Sequence, residues 1–358
     1  MSDLQISLLM IGAVVVAGVY LFNGWQERQF RRRAEQTFAQ DHADVLMQGA
    51  AAPEVRPEGR VEPRFEATLT AASAAVHVPP AAPQAMAIDP VIDYVVELDI
   101  PSAAEGADLH EQLLALSAGW GKSVQVAGYD PASGEWQPAG TGSGKNYSQL
   151  RFAVQMSNRA GCVTQNQLAA FRDAAMQWAE ACQGGGKCLD VAEAHAMAAQ
   201  LDRFCADVDI AIGINVVTRD GNPFSGTKIR ALAEAAGLRL EADGLFYLRG
   251  DAGDILFSLD NHEPTPFVPA QMKTLFTSGV TFLLDVPRVR QASRAFDTML
   301  GMAQNFAASL DGMLVDDNRS VLSDSAIAKI GQQLESILAK MEAGQIAAGG
   351  ARALRLFS

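Results

Sequence analysis

Apolar residues alternate with small or polar residues in two segments of the C-terminal half, as in strands with one buried face. The pattern is clearest at 209–217, DIAIGINVV, and at 279–287, GVTFLLDVP. Apolar residues recur at helical spacing from Phe296 to Leu310 and again from Ile327 to Met341, which predicts two long helices, the second beginning near Ser323. We therefore predict an α+β fold, with a mainly antiparallel sheet that carries helices on one face and leaves the other face free.

The residues between 91 and 206 pass through a similar order of predicted elements. DYVVELDIP corresponds in type to DIAIGINVV, and HEQLLALSAGWGKSVQV corresponds to IRALAEAAGLRLEA, a helix that ends on Ala-Gly and precedes a strand. We interpret the chain as two similar split β-α-β type domains, a degenerate copy at 91–206 and a second copy at 207–345. Residues 346–358 are predicted to be a flexible tail.

The N-terminal residues predict a single transmembrane helix. Ile6 to Phe22 contains no charged residue, and about 17 residues of helix span most of a bilayer core of roughly 30 Å. Basic residues follow directly, at Arg28, Arg31, Arg32 and Arg33. The positive-inside rule then places the N-terminus in the periplasm and the remaining chain in the cytoplasm, with residues 1–25 as the anchor. A buried core helix is the alternative interpretation.

The residues between this segment and the first predicted strand are rich in Pro and Ala. Residues 26–90 comprise the basic flank and a stretch without hydrophobic periodicity, which includes GAAAPEVRPEGRVEPRF. Such a composition cannot bury enough apolar surface to offset the entropy of ordering the chain. We predict a disordered linker that holds the folded part away from the membrane.

Composition and motifs exclude several classes of function. The net charge of −13 argues against nucleic-acid binding, which needs clustered Lys and Arg. Cysteine is confined to one stretch, at Cys162, Cys182, Cys188 and Cys205, without the spacing of a zinc site. AGTGSGKNYS at 139–148 lacks the first Gly and the Ser or Thr of a phosphate loop, and no nucleophile or carboxylate is paired with His262. We expect no enzyme activity, cofactor, metal or small-molecule substrate.

The free face of the second sheet is the candidate binding surface. Because side chains alternate along a strand, every second residue is predicted to point away from the helices. The predicted set is Ala211, Gly213, Phe246, Ser258, Asp260, His262, Thr281 and Leu283. The small residues Ala211 and Gly213 would leave a shallow channel between larger neighbours, in which a partner peptide could lie.

Several segments of this C-terminal part resemble the ZipA family of membrane-anchored cell-division proteins. They are INV in the first strand, LFSLDN, PTPFVPAQMKTLFTSGVTFLLDVP and LDGMLVDDNRSVLS, within about 208–342. The resemblance implies an inner-membrane adaptor that acts at the midcell division ring. It also implies that a groove on the exposed sheet face binds the C-terminal tail peptide of FtsZ, and it adds Gly244 to the contact residues.

Two other hypotheses remain open at this stage. One keeps the membrane anchor and the α+β fold but assigns a different protein or small-molecule ligand to the 91–206 unit. The other is an enzyme of unknown type, which rests only on the range of functions that such scaffolds support.

Overall fold

A computed structural model describes residues 88–104, 107–139, 145–317 and 319–358 of the protein. These residues belong to one compact unit, Val78–Ser358. The predicted anchor at 1–25, its flanking arginines and almost all of the predicted linker lie outside the described residues. Within the described ranges, every helix is too short or too polar to cross a bilayer.

The first part of the chain forms a five-stranded antiparallel sheet with the order β3-β2-β4-β1-β7. The strands of this sheet are β1 (Asp93–Ala104), β2 (Val124–Asp130), β3 (Glu135–Pro138), β4 (Tyr147–Gln155) and β7 (Gly185–Cys188). The short strands β5 (Ser157–Asn158) and β6 (Gly161–Cys162) form a separate hairpin. The helices of this part are α1 (Ala107–Leu116), α2 (Gln165–Ala181) and α3 (Val191–Val208).

Helix α2 packs on the first sheet because its apolar residues share one face. Leu168, Phe171, Ala175 and Ala179 are buried at helical spacing, and the Phe171 ring lies 6.5 Å from that of Tyr94 on β1. The helix begins at a capping box, in which Thr164 and Gln167 satisfy each other's backbone N–H groups. Local sequence therefore defines where the helix starts, and its apolar stripe defines which side faces the sheet.

The second part forms a six-stranded antiparallel sheet with the order β10-β11-β12-β14-β8-β15, while β9 pairs with β13. The strands are β8 (Ala211–Thr218), β9 (Phe224–Ser225), β10 (Arg239–Leu240), β11 (Phe246–Arg249), β12 (Ile255–Asn261), β13 (Phe276–Thr277), β14 (Gly279–Asp285) and β15 (Gly312–Val315). The helices are α4 (Gly226–Ala235), α5 (Ala292–Leu310), α6 (Asp324–Ala343) and α7 (Ala351–Leu356), with a 3₁₀ turn at Val286–Arg288.

One face of the second sheet and helix α5 enclose a dense aromatic core. Phe282 on β14 is fully buried, and its ring meets that of Phe306 on α5 edge-to-face at 5.2 Å. Its cross-strand partners are Leu259 on β12 and Ile214 on β8, which are also buried. Complete burial of a side chain of this size contributes about 1.5–3 kcal/mol. This row fixes which face of the sheet is turned toward the helices.

The predicted α+β class is confirmed, and the main predicted elements of the second part are present. β8 and β14 lie where the alternating segments predicted strands, and α5 carries the predicted apolar stripe. Helix α6 begins after Ser323, whose hydroxyl accepts from the Ala326 N–H. The predicted domain boundary at 206/207 falls at the end of α3, just before β8.

The two sheets share one half of their topology. The trio β4-β1-β7 in the first sheet corresponds to β14-β8-β15 in the second, and each final strand lies between two long helices. The other halves differ. In the first sheet the strand after the first helix, β2, pairs directly with β4, whereas the second sheet reaches β14 only through β10, β11 and β12.

The prediction of a flexible tail at 346–358 is wrong. Helix α7 is packed, with Leu356 and Phe357 fully buried. Arg355 donates to the Asp93 carboxylate on β1, with 2.9 Å between Nη1 and Oδ2, and the two side chains are only 7% and 1% exposed. The tail is ordered because apolar burial and this ion pair attach it to the first sheet.

A second contact joins the two sheets on the surface. Arg159, in the β5–β6 turn of the first part, donates to Asp209 just before β8 and to Asp285 at the end of β14, over 2.7–3.2 Å. The Arg159 guanidinium also lies 5.7 Å from the centre of the Phe357 ring. The second sheet therefore contacts the first through the C-terminal segment and through Arg159.

Candidate functional site

The candidate site is the face of the second sheet that is turned away from α5, which we call the open face. It is formed by alternate residues of β8, β14, β12 and β11, opposite in phase to the buried Ile214, Phe282 and Leu259. Leu283 is 38% exposed, an unusual position for a leucine in the middle of a sheet. The residues of the open face are Ala211, Gly213, Asn215, Tyr247, Ser258, Asp260, His262, Thr281 and Leu283.

The strand register arranges these residues in two neighbouring rows. In the first row Gly213, Leu283, Ser258 and Tyr247 are direct cross-strand partners. Adjacent strands lie about 4.8 Å apart, so Leu283 stands between two positions with very small side chains. The result is an apolar ridge at Leu283, beside the small side chain of Ser258 on one strand and Gly213 on the other.

The second row carries a chain of polar contacts. Thr281 donates its hydroxyl proton to Asn215 Oδ1 at 2.6 Å, and Asn215 Nδ2 donates to Asp317 Oδ1 at 3.0 Å. His262 Nδ1 lies 3.3 Å from the Thr281 hydroxyl oxygen. Because that hydroxyl has already given its only proton, His262 Nδ1 must be the donor. The chain therefore fixes the side-chain orientations of the second row.

Asp317 belongs to a turn that folds over one end of the open face. The turn follows β15 and is closed by a bridge between Val315 and Val321 and by the Asp316 N–H to Ser320 O bond, at 2.9 Å. Asp317 Oδ1 lies 3.1 Å from the position that a Cβ on Gly213 would occupy. Glycine at 213 therefore leaves the room in which this carboxylate lies.

The prediction that Phe246 lies on the free face is wrong. Phe246 is fully buried, pairs with the buried Leu259, and its ring contacts Phe267 at 5.3 Å. The strand β11 has only four residues, and the turn before it sets its phase so that Tyr247 takes the outward position. Alternation within so short a strand could not decide between the two residues.

Gly244, which the family resemblance added, does not reach the open face either. It lies buried in the turn before β11, with φ at +83°, and its carbonyl accepts from the Phe267 N–H at 3.1 Å. A Cβ there would lie 2.5 Å from the Pro266 Cβ. The remaining predicted residues, Ala211, Gly213, Ser258, Asp260, His262, Thr281 and Leu283, are brought together on the open face.

Sequence reasoning missed three residues of the site. Asn215 continues the alternation of Ala211 and Gly213 and could have been included on that signal alone. Tyr247 donates to Asp243 at 2.6 Å, and burial together with this carboxylate raises the pKa of its hydroxyl. The position of Asp317 depends on how a loop folds back, for which the sequence carries no periodic signal.

The outer face of the first sheet has a different chemistry. Glu97 accepts from Arg151 at 2.7 Å and pairs with Lys187 at 2.9 Å, and these contacts, led by Lys187, lower the pKa of Glu97. The Arg151 guanidinium lies 4.0 Å above the Trp136 ring. This face carries a salt-bridged cluster, so the two sheets differ in the chemistry of their outer faces.

The geometry of the open face suits the docking of a partner segment. Within the described ranges, no group of three or more His, Cys, Asp and Glu side chains is placed to hold a metal ion. His262 contacts a threonine hydroxyl, and its partners form no acid–base pair with a nucleophile. An apolar ridge on an open sheet face is instead a surface for an extended or helical segment of a partner.

Comparisons with known proteins match the part of the chain that contains the open face. Residues 210–333 match the family described as ZipA, C-terminal FtsZ-binding domain. The chain is 36% identical over 126 residues to the cell division protein ZipA of Marinobacter nauticus, which covers 34% of this chain and 37% of that protein.

Two further relatives show the same extent of similarity. The chain is 33% identical over 141 residues to the ZipA protein of Ectopseudomonas mendocina, covering 38% and 51% of the two chains. It is 34% identical over 134 residues to that of Pseudomonas aeruginosa, covering 36% and 46%. The chain thus spans about half or less of the length of these curated relatives, and residues 88–209 precede the matched family domain.

Proposed function

Since this chain belongs to the ZipA family through residues 210–333, we propose that it binds the C-terminal tail of FtsZ on the open face. The observation that carries the proposal is the exposed ridge at Leu283, between Gly213 and Ser258, inside the segment matched by an FtsZ-binding domain family. Apolar side chains of the tail would pack against the ridge. Each Å² of apolar surface buried in this way contributes about 25 cal/mol.

Docking of this kind requires no catalytic residue and only modest affinity. A filament presents many identical tails, and many copies of this chain face it from one membrane. Once one tail is bound, the next meets a high effective concentration of open faces, so overall affinity can rise by about 10²–10⁴ over that of a single contact. The function is therefore that of an adaptor that tethers and stabilises the division ring.

The tether requires an attachment to the inner membrane, which we propose to be the uncharged segment Ile6 to Phe22. The cluster Arg28, Arg31, Arg32 and Arg33 supports a periplasmic N-terminus and cytoplasmic domains. The Pro- and Ala-rich linker would let the folded part reach filaments without fixing its orientation. The two similar domains of the predicted layout, 91–206 and 207–345, would then both lie at the midcell ring.

Removing residues 1–25 is expected to release the protein from the membrane without affecting FtsZ binding. A fluorescent fusion of the full chain should collect at midcell in the membrane fraction, and the shortened fusion should become soluble. Both should bind the same FtsZ tail peptide with equal affinity. A shortened protein that still sediments with membranes would contradict the anchor.

The docking site is tested by placing a large side chain beside the ridge, at Gly213, where it also displaces the Asp317 carboxylate. In the full chain in detergent, Gly213→Leu is expected to weaken binding of a fluorescent FtsZ tail peptide at least about tenfold, or about 1.4 kcal/mol. Fluorescence anisotropy measures the affinity. Gly301→Leu on α5 is the matched control, because a Cβ at Gly301 meets nothing within 4 Å and lies on the helix side. Unchanged binding by Gly213→Leu would refute the site, and a wild-type chain that ignores the peptide would refute the function.

A further inference from the structure

We propose that Arg159 extends the open face into the first part of the chain and stacks against an aromatic side chain of the docked tail. This inference rests on the proposed docking function. It specifies the chemistry of one tail residue and gives the first part of the chain a role in binding. The tail would combine an apolar side chain on the Leu283 ridge with an aromatic ring on the Arg159 guanidinium.

The Arg159 guanidinium lies at one end of the open face. Asp285 follows Leu283 by two residues on β14, so it lies on the same side of the sheet, about 7 Å further along the strand. Its cross-strand partner is Ala211, an exposed residue of the open face. Arg159 Nη2 donates to Asp285 Oδ1 at 2.8 Å. The guanidinium is therefore within reach of a segment that is docked on the Leu283 ridge.

Two carboxylates occupy the hydrogen-bonding edges of this guanidinium. Nε and Nη2 donate to Asp209 over 2.7–3.2 Å, and Nη1 and Nη2 donate to Asp285 at 3.0 and 2.8 Å. Each contact is a fork in which two N–H groups meet one carboxylate in the guanidinium plane. Because all three nitrogens of Arg159 are engaged in that plane, a partner side chain contacts the group best through a flat face.

The same guanidinium is held in place and is still accessible from solvent. Its Cζ lies 5.7 Å from the centre of the Phe357 ring, which is fully buried. The Arg159 side chain itself is 33% exposed. An aromatic ring suits an exposed guanidinium face, since its π electrons attract the cation and its flat shape matches the planar group. A group that is fixed before the partner arrives loses little entropy on binding.

The local charge favours a neutral ring over a charged side chain at this position. Arg159 brings one positive charge and Asp209 and Asp285 bring two negative charges. An acidic side chain of the tail would approach both carboxylates together with the guanidinium, and a basic one would compete with Arg159 for them. A neutral ring leaves these ion pairs intact and also buries apolar surface against Ala211.

The test measures binding of the full chain in detergent to the FtsZ tail peptide and to the same peptide with every Phe, Tyr and Trp replaced by Leu. Arg159→Lys keeps the positive charge and removes the planar group. It is expected to weaken binding of the unaltered peptide about three- to tenfold and to leave binding of the Leu peptide unchanged, as measured by fluorescence anisotropy. Arg172→Lys on α2 is the matched control, because Arg172 is also paired with an aspartate, and it should change neither affinity.

The comparison of two peptides separates stacking from a merely structural role of Arg159, because a structural loss would weaken both peptides equally. An equal loss for both, or no loss for the unaltered peptide, would overturn the inference and leave the docking function standing. Equal affinities of the wild type for the two peptides would do the same, and this measurement needs no variant. A wild-type chain that binds neither peptide would overturn the docking function and the inference together.

Discussion

Replacing Arg355 with methionine is expected to lower the free energy of unfolding by about 3–5 kcal/mol. The exchange leaves the Asp93 carboxylate charged and almost completely buried, without the guanidinium that compensates it. Removing one partner of a buried ion pair is more damaging than removing both, because the remaining charge has lost both water and its partner. Urea-induced unfolding of the full chain in detergent, followed by circular dichroism, measures the change.

Arg352 provides a matched control on the same helix. Arg352→Met removes an ion pair with Asp89 whose side chains are 28% and 24% exposed, so a loss of only about 0–1 kcal/mol is expected. The double exchange Asp93→Asn with Arg355→Met should recover part of the stability lost by Arg355→Met alone. An Arg355→Met variant as stable as Arg352→Met would contradict the role of the pair.

The ion pair between Asp93 and Arg355 connects the first sheet to the part of the chain that follows the matched family segment. Asp93 lies at the start of the first sheet and Arg355 lies beyond the matched segment 210–333. This contact joins residues that are far apart in the chain but lie within one compact unit. The contacts of Arg159 with Asp209 and Asp285 do the same. A fragment that ends at residue 345 would lack α7 and remove the ion-pair partner of Asp93, so binding is best measured on the full chain.

Substitutions at two neighbouring residues of β14, Phe282 and Leu283, are expected to have different effects on stability and on FtsZ tail binding. Phe282→Ala should lower the free energy of unfolding by about 3–5 kcal/mol, because the ring is fully buried against Phe306 and Phe257. Leu283→Ala should change stability by less than about 1 kcal/mol, since Leu283 is 38% exposed, and should weaken FtsZ tail binding. Chemical denaturation and anisotropy on both variants give the comparison.

Leu283→Met serves as the control for side-chain size, because it keeps an apolar side chain of similar volume and should retain most of the affinity. If Leu283→Ala bound the tail as tightly as the wild type at unchanged stability, the ridge would not be the contact. If Phe282→Ala left the protein as stable as before, the assignment of the two faces of the sheet would be wrong.

Regular alternation and helical spacing were sufficient to predict much of the fold and part of the site. β8 and β14 each have seven or more residues, so their alternation identified Gly213, Thr281 and Leu283 as one face. The apolar stripe of α5 and the cap at Ser323 were equally local signals. Which residues of the four-residue strand β11 face outward could not be predicted from local sequence. The preceding turn decides whether Phe246 or Tyr247 points outward.

The sequence by itself determined the α+β class, the long strands and helices, and which side chains of those strands share a face, because each depends on neighbours within a few residues. Tertiary structure alone decided that Asp317 folds over Gly213, that Arg159 links the end of β14 to the first sheet, and that Arg355 reaches Asp93. These contacts join residues far apart along the chain, and their geometry exists only once both sheets have packed. The order of the C-terminal segment has the same origin, since its burial depends on a surface that residues near 90 provide.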